Sequence, residues 1–132
     1  MTETNVYSLA LEGADKLSPH FRVREFACKD GTDPVFLSPR LVELLEQVRV
    51  HFGAPVTVTS GYRTPAHNQA APSASPRSQH LYGRAADIRV AGHAPAQVAA
   101  YAETLLPGCG GIGVYPGFVH LDVRPGKSRW KG

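Results

Sequence analysis

Two segments of this chain place ionisable side chains where strand patterning favours apolar ones, and they limit the folds that can accommodate it. In Ala85-Ala86-Asp87-Ile88-Arg89-Val90 a carboxylate sits between Ala86 and Ile88. In Phe118-Val119-His120-Leu121-Asp122-Val123 a histidine and an aspartate alternate with apolar residues. Strand side chains alternate with period two, so Phe118, His120 and Asp122 share one face, while Val119, Leu121 and Val123 supply core on the other. An ionisable group beside a core is unfavourable unless it is paired. Patterning does not require these residues, so they mark a site. His80 stands seven residues before Asp87, and Gly83 between them lets the backbone fold back so that the two side chains converge.

Two neutral imidazoles and one carboxylate, His80, His120 and Asp87, make a three-ligand set for zinc. Three protein ligands leave a fourth position for water, the arrangement of a catalytic rather than a structural site. Arg63 ends the segment Ser60-Gly61-Tyr62-Arg63, where a guanidinium can clamp a carboxylate through two parallel hydrogen bonds. The two cysteines, Cys28 and Cys109, cannot form a disulfide framework. Without a Cys-x-x-Cys pair a thiolate zinc site is not expected. They read as free thiols, with a single disulfide open if their backbones approach.

The 132 residues suit one domain. A net charge of +3 comes from scattered Lys and Arg. No basic stripe interleaved with aromatics is present, so nucleic acid is not the expected partner. No apolar run is long enough to span a membrane. Met1–Val6 lacks a signal-peptide pattern, so synthesis in the cytoplasm without a signal peptide is expected.

Residues 1–16 read as an N-terminal arm and 17–132 as the domain. Val6–Leu11 suits an edge strand or a docked arm. Ser18 and Pro19 carry helix-start chemistry, leading into a turn anchored by Phe21 and Phe26, and Asp30–Pro34 reads as loop. The spacing of Leu41, Leu44, Leu45, Val48 and Phe52 predicts a helix over Pro39–Phe52, with Ser38 as N-cap and Gly53 as stop. Strands are expected over Pro55–Ser60, Ala85–Val90, Ile112–Tyr115 and Phe118–Val123. A helical turn is expected over Pro65–Ala70, a loop over Ala71–Ser78 and a helix over Pro95–Leu106. The pattern is α+β, a small single domain with an antiparallel sheet flanked by helices.

Ser60-Gly61-Tyr62-Arg63, Ser78-x-His80-x-x-Gly83-x-Ala85-x-Asp87, Gly113-Val114-Tyr115 and Phe118-Val119-His120-x-Asp122 together resemble the zinc D-Ala-D-Ala carboxypeptidase family of peptidoglycan peptidases. The short bacterial and phage branch is the most similar. Ser18-Pro19-His20-Phe21-x-x-x-Glu25-Phe26 and Arg129-Trp130 also resemble that branch, so the similarity covers about residues 17–130. The resemblance implies the fold shared with the hedgehog signalling domain. It implies zinc held by His80, Asp87 and His120, and substrate contacts from Arg63, Ser60, Tyr62 and Trp130. It implies cleavage of a peptidoglycan stem peptide or cross-link, often next to D-alanine. Many relatives place a catalytic glutamate three residues before the last histidine, or a histidine two before it. Here those positions are Gly117 and Phe118. Asp122 is left as general base or as the partner that orients a ligand. The alternative is a weakly active or inactive zinc-binding protein of a phage tail or similar particle, which would bind cell wall without cutting it. In either case the protein would reach the wall after release from the cell or as part of a virion.

Overall fold

The computed structural model describes residues 4–70 and 78–132. Most of the loop expected over Ala71–Ser78 lies outside them. The elements run β1 (Asn5–Ser8), α1 (Leu9–Glu12), β2 (Lys16–Ser18), β3 (Phe21–Arg22), a 3-10 turn (Val23–Phe26), β4 (Pro34–Leu37), α2 (Pro39–Phe52), β5 (Val56–Ser60) and α3 (Pro65–Ala70). A second 3-10 turn (Gln79–Tyr82), β6 (Ala85–Val90), α4 (Pro95–Leu105), β7 (Gly111–Val114), β8 (Val119–Asp122) and β9 (Ser128–Lys131) follow.

The main sheet has five strands in the order β5-β6-β8-β7-β9. Its first four are antiparallel neighbours, and β9 joins β7 in parallel. Ala86, Ile88, Val119, Leu121 and Ile112 join Leu41, Leu45 and Val48 of α2 and Val98 and Ala102 of α4 in one buried cluster. The fold is therefore α+β, a sheet covered by helices that bury its apolar residues.

Helix α2 has the bounds its apolar spacing predicts, and Gly53 ends it at a φ of 60° with its N–H on the Arg49 carbonyl. Ser38 takes the N-cap position, but its hydroxyl makes no capping bond. Arg129 closes the far end of α4. Its guanidinium donates to the carbonyls of Leu106, Cys109 and Gly110 and pairs with Glu103, placing positive charge where a helix end presents free carbonyls.

Two small antiparallel pairs complete the fold, β1 with β4 and β2 with β3. The helix start expected at Ser18-Pro19 is not formed. Ser18 ends β2, Pro19 and His20 turn into β3, and the helical turn waits until Val23. The Ser18 hydroxyl donates to the Glu46 carboxylate on α2 at 2.6 Å, and the His20 N–H donates to it at 2.9 Å. A partner distant in sequence thus takes the groups that a local cap would have used. Phe21 and Phe26 are both buried, with ring centroids 5.9 Å apart. Both cysteines are free thiols.

Candidate metal centre

Strand register assembles the site. Ser60 lies opposite Asp87, Asp87 opposite His120, His120 opposite Gly113 and Gly113 opposite Trp130. These residues form one transverse row across the sheet. The next row on the same face runs from Ala85 through Asp122 and Gly111 to Ser128. His80 reaches the first row from the 3-10 turn, whose Ser78 hydroxyl accepts the His80 N–H. That turn ends at Gly83, where φ is +67°, and a Cβ there would lie 2.1 Å from the Phe36 carbonyl oxygen. Only glycine satisfies both the dihedral and the close approach.

The nitrogens of both imidazoles are distinguishable by their partners. His80 Nδ1 lies 2.7 Å from the Gly61 carbonyl, which can only accept, so Nδ1 carries the proton and Nε2 the lone pair. That Nε2 lies 3.3 Å from Asp87 Oδ1. His120 Nδ1 lies 3.0 Å from the same oxygen, and its Nε2 lies 2.7 Å from Asp122 Oδ2. With the Nε2 proton donated to Asp122, the Nδ1 lone pair also turns toward Asp87. His80, Asp87 and His120 thus offer one donor atom each, all within 4.8 Å of one another. Facing one carboxylate oxygen, these two nitrogens need positive charge between them and it, carried either by protons on the imidazoles or by a metal ion. Two nitrogens, each oriented by an outer hydrogen bond, and a carboxylate oxygen are a donor set suited to zinc.

All three residues are buried. Burial alone would raise the Asp87 carboxyl, but hydrogen bonds and charge from His120 and His80 outweigh it and hold the group well below the usual range. Burial alone would lower His120, and the carboxylates of Asp122 and Asp87 outweigh it and raise the ring.

Asp122 is 0% exposed. Besides His120, its carboxylate accepts from the backbone N–H, Nε and Nη2 of Arg124 at 3.1, 2.8 and 2.7 Å. Burial pushes this carboxyl up, but His120 and Arg124 outweigh it and hold it well below the usual range. A carboxylate so fully engaged is suited to orienting His120.

Arg63 lies on the other side of the row. Its Nε donates to Ser60 Oγ at 3.1 Å, its Nη1 to Asn68 Oδ1 at 3.3 Å, and its Nη2 lies 3.5 Å from Asp87 Oδ2. Ser60 and Arg63 therefore border the cluster directly. Tyr62 does not share their position, because its ring packs against Phe36 and is only 8% exposed. Trp130 borders the opposite side, with its ring 5.0 Å from that of His120, its Nε1–H on the Tyr115 hydroxyl and the Arg124 guanidinium over its face.

A sequence profile of the peptidase M15 family matches residues 18–122. This chain belongs to the peptidase M15 family. It is 31% identical over 105 residues to a probable peptidoglycan L,D-endopeptidase, MepK, of Haemophilus influenzae. The match covers 73% of the chain and 55% of that relative, so the chain spans about half the relative's length. Among the described residues of this M15 member, no helix is long and apolar enough to cross a membrane.

The roles of three contributors to the site were not apparent from the M15 chain's sequence. A Cβ at Gly111 would lie 2.1 Å from Asp122 Oδ2, and one at Gly113 would lie 2.4 Å from the Trp130 ring. These glycines make room for the carboxylate and the indole. The available signal was a strand with glycine at alternate positions, which indicates close approach by another group. Arg124, the clamp on Asp122, carried no signal beyond its proximity in sequence.

Proposed function

We propose that this M15 chain is a zinc-dependent peptidase that hydrolyses a peptide bond in the stem peptide or cross-link of peptidoglycan, acting as an endopeptidase. The observation that carries this reading is the convergence of His80 Nε2, His120 Nδ1 and Asp87 Oδ1, with each imidazole held by a partner on its other nitrogen. Family membership supplies the peptidase chemistry, and the relative's description favours peptidoglycan and an endopeptidase over a carboxypeptidase.

Zinc, when bound, supplies an activated water and polarisation of the scissile carbonyl. The chain's own residues do the rest. Gly61 and Asp122 orient the two imidazoles. Arg63, whose contact with Asp87 is long, retains hydrogen-bonding capacity for a substrate carboxylate or carbonyl, with Ser60 beside it. Trp130 offers an aromatic wall on the opposite side of His120.

One observation favours a second reading, a zinc protein that binds cell wall without cutting it. The Asp122 carboxylate is fully engaged by His120 and Arg124, and Gly117 and Phe118 offer no proton acceptor.

The two readings separate by turnover. Metal-depleted protein is incubated with purified peptidoglycan, with and without added zinc, and the products are read by mass spectrometry of muropeptides. Peptide fragments should appear only with zinc and not with His120→Ala. No release, or release that is indifferent to chelator and to this substitution, overturns the peptidase reading. Loss of only a terminal D-alanine would make the enzyme a carboxypeptidase.

A further inference from the structure

A second cluster of side chains able to hold a metal lies around Thr64, the residue after Arg63. Cys28 follows the first 3-10 turn, Asp30 stands two residues on, and His67 is on α3. Each offers one donor atom, and the three atoms lie within 4.8 Å of one another. Residues 37 positions apart are thus brought together without any Cys-x-x-Cys motif.

Thr64 organises all three. Its backbone N–H donates to Cys28 Sγ at 3.4 Å, its hydroxyl donates to an Asp30 carboxylate oxygen at 2.7 Å, and that hydroxyl oxygen accepts the backbone N–H of His67 at 3.2 Å, which fixes the start of α3. The bonds to Cys28 and Asp30 are outer hydrogen bonds of the kind that orient metal ligands. The Cys28 thiol is buried, Asp30 is exposed and His67 is half-buried. Sulfur is thereby shielded while the cluster stays open to solvent on the Asp30 side.

We propose that Cys28, Asp30 and His67 form a second divalent-cation site, selective for zinc-like ions and separate from the His80–Asp87–His120 cluster. Thiolate and imidazole together select borderline-soft metals over magnesium or calcium. Zinc bonds of about 2.0–2.3 Å place neighbouring ligand atoms roughly 3.3–3.8 Å apart. Rotation of the exposed Asp30 side chain and of His67 closes the remaining gap. The ion would tie the segment after Phe26 to the loop that carries Arg63, whose Nη1 already holds Asn68 on α3. The inference does not depend on the peptidase reading, because it concerns different ligands and a different readout.

Cobalt(II) substitution tests it. Cobalt bound to a thiolate gives an intense sulfur-to-metal charge-transfer band in the near ultraviolet. The His80, Asp87 and His120 side chains contain no sulfur and cannot produce that band. Reduced, metal-free protein titrated with cobalt should develop the band and bind two ions per chain. Cys109→Ser and His120→Ala should keep the band. Cys28→Ser and His67→Ala should lose it and bind one ion fewer than the parent. If Cys28→Ser does not fold, as judged by circular dichroism, the half-buried His67→Ala decides. The proposal is overturned by absence of the band at saturating cobalt, by its persistence in Cys28→Ser, or by an unchanged band in His67→Ala. Absence of the band would mean that the segment is held by the Thr64 hydrogen bonds alone.

Discussion

Asp122 shows how one residue's role depends on its neighbours. On sequence it suited either a general base or an orienting partner. In the fold, its carboxylate takes one bond from His120 and three from Arg124. Asp122→Asn keeps the shape and removes the charge that fixes the His120 tautomer. Loss of such a partner typically weakens metal affinity about 10–100-fold. The substitution should therefore weaken zinc binding by that order, measured by competition with a chelating dye. A general base would instead show unchanged zinc affinity with reduced turnover, and that result would reverse the assignment. The imidazoles were legible as candidate ligands, His120 because it stands in an otherwise apolar strand and His80 through its spacing from Asp87. Arg124, Gly111 and Gly113 were not, because their importance lies in what stands opposite them.

At the scale of elements, one turn positions the site and one hairpin is fastened to the helix layer. The turn from His80 into β6 depends on Gly83. Gly83→Ala combines a left-handed backbone with a clash against the Phe36 carbonyl, and should destabilise the fold by about 2–5 kcal/mol. Chemical denaturation measures this, and an unchanged midpoint would mean that β4 yields easily. The β2–β3 hairpin is held to α2 by Glu46. Burial pushes the Glu46 carboxyl up, but hydrogen bonds from Ser18 and His20 outweigh it and hold it below its ordinary 4.5. A carboxyl lowered on folding contributes stability above its unfolded value, and that contribution is lost as pH falls through the folded one. The parent should therefore lose stability relative to Glu46→Gln as pH drops below about 4.5. Denaturation midpoints of the two proteins across that range check the sign, and parallel curves would contradict it. Helix α2 was legible because its apolar spacing and its burial coincide. The Ser18-Pro19 helix start was misread because a carboxylate on α2 competes for the same donors.

For the whole molecule, the row from Ser60 to Trp130 draws on all five strands of the main sheet, so an ion bound there would be coupled to folding. A ligand that binds only the native state at about 100 times its dissociation constant stabilises by about 2.7 kcal/mol. Thermal melts with and without zinc should show an increase of that order. The shift should shrink in His120→Ala, and equal shifts in the two proteins would place the stabilising ion elsewhere.

Sequence alone determined the α+β class, most elements of the main sheet, and the identity of His80, Asp87 and His120 as a candidate set. These follow from local periodicity and from residue types that are unfavourable beside a core without partners. Tertiary structure decided which nitrogen of each imidazole faces Asp87, that Tyr62 is packed in the core while Arg63 borders the cluster, and that Asp122 is clamped. It also decided the parallel pairing of β9 and the meeting of Cys28 with His67. The reason is physical: a tautomer, a clamp or a ligand pair is set by atoms that approach across strands and loops, and no local pattern in the chain encodes those distances.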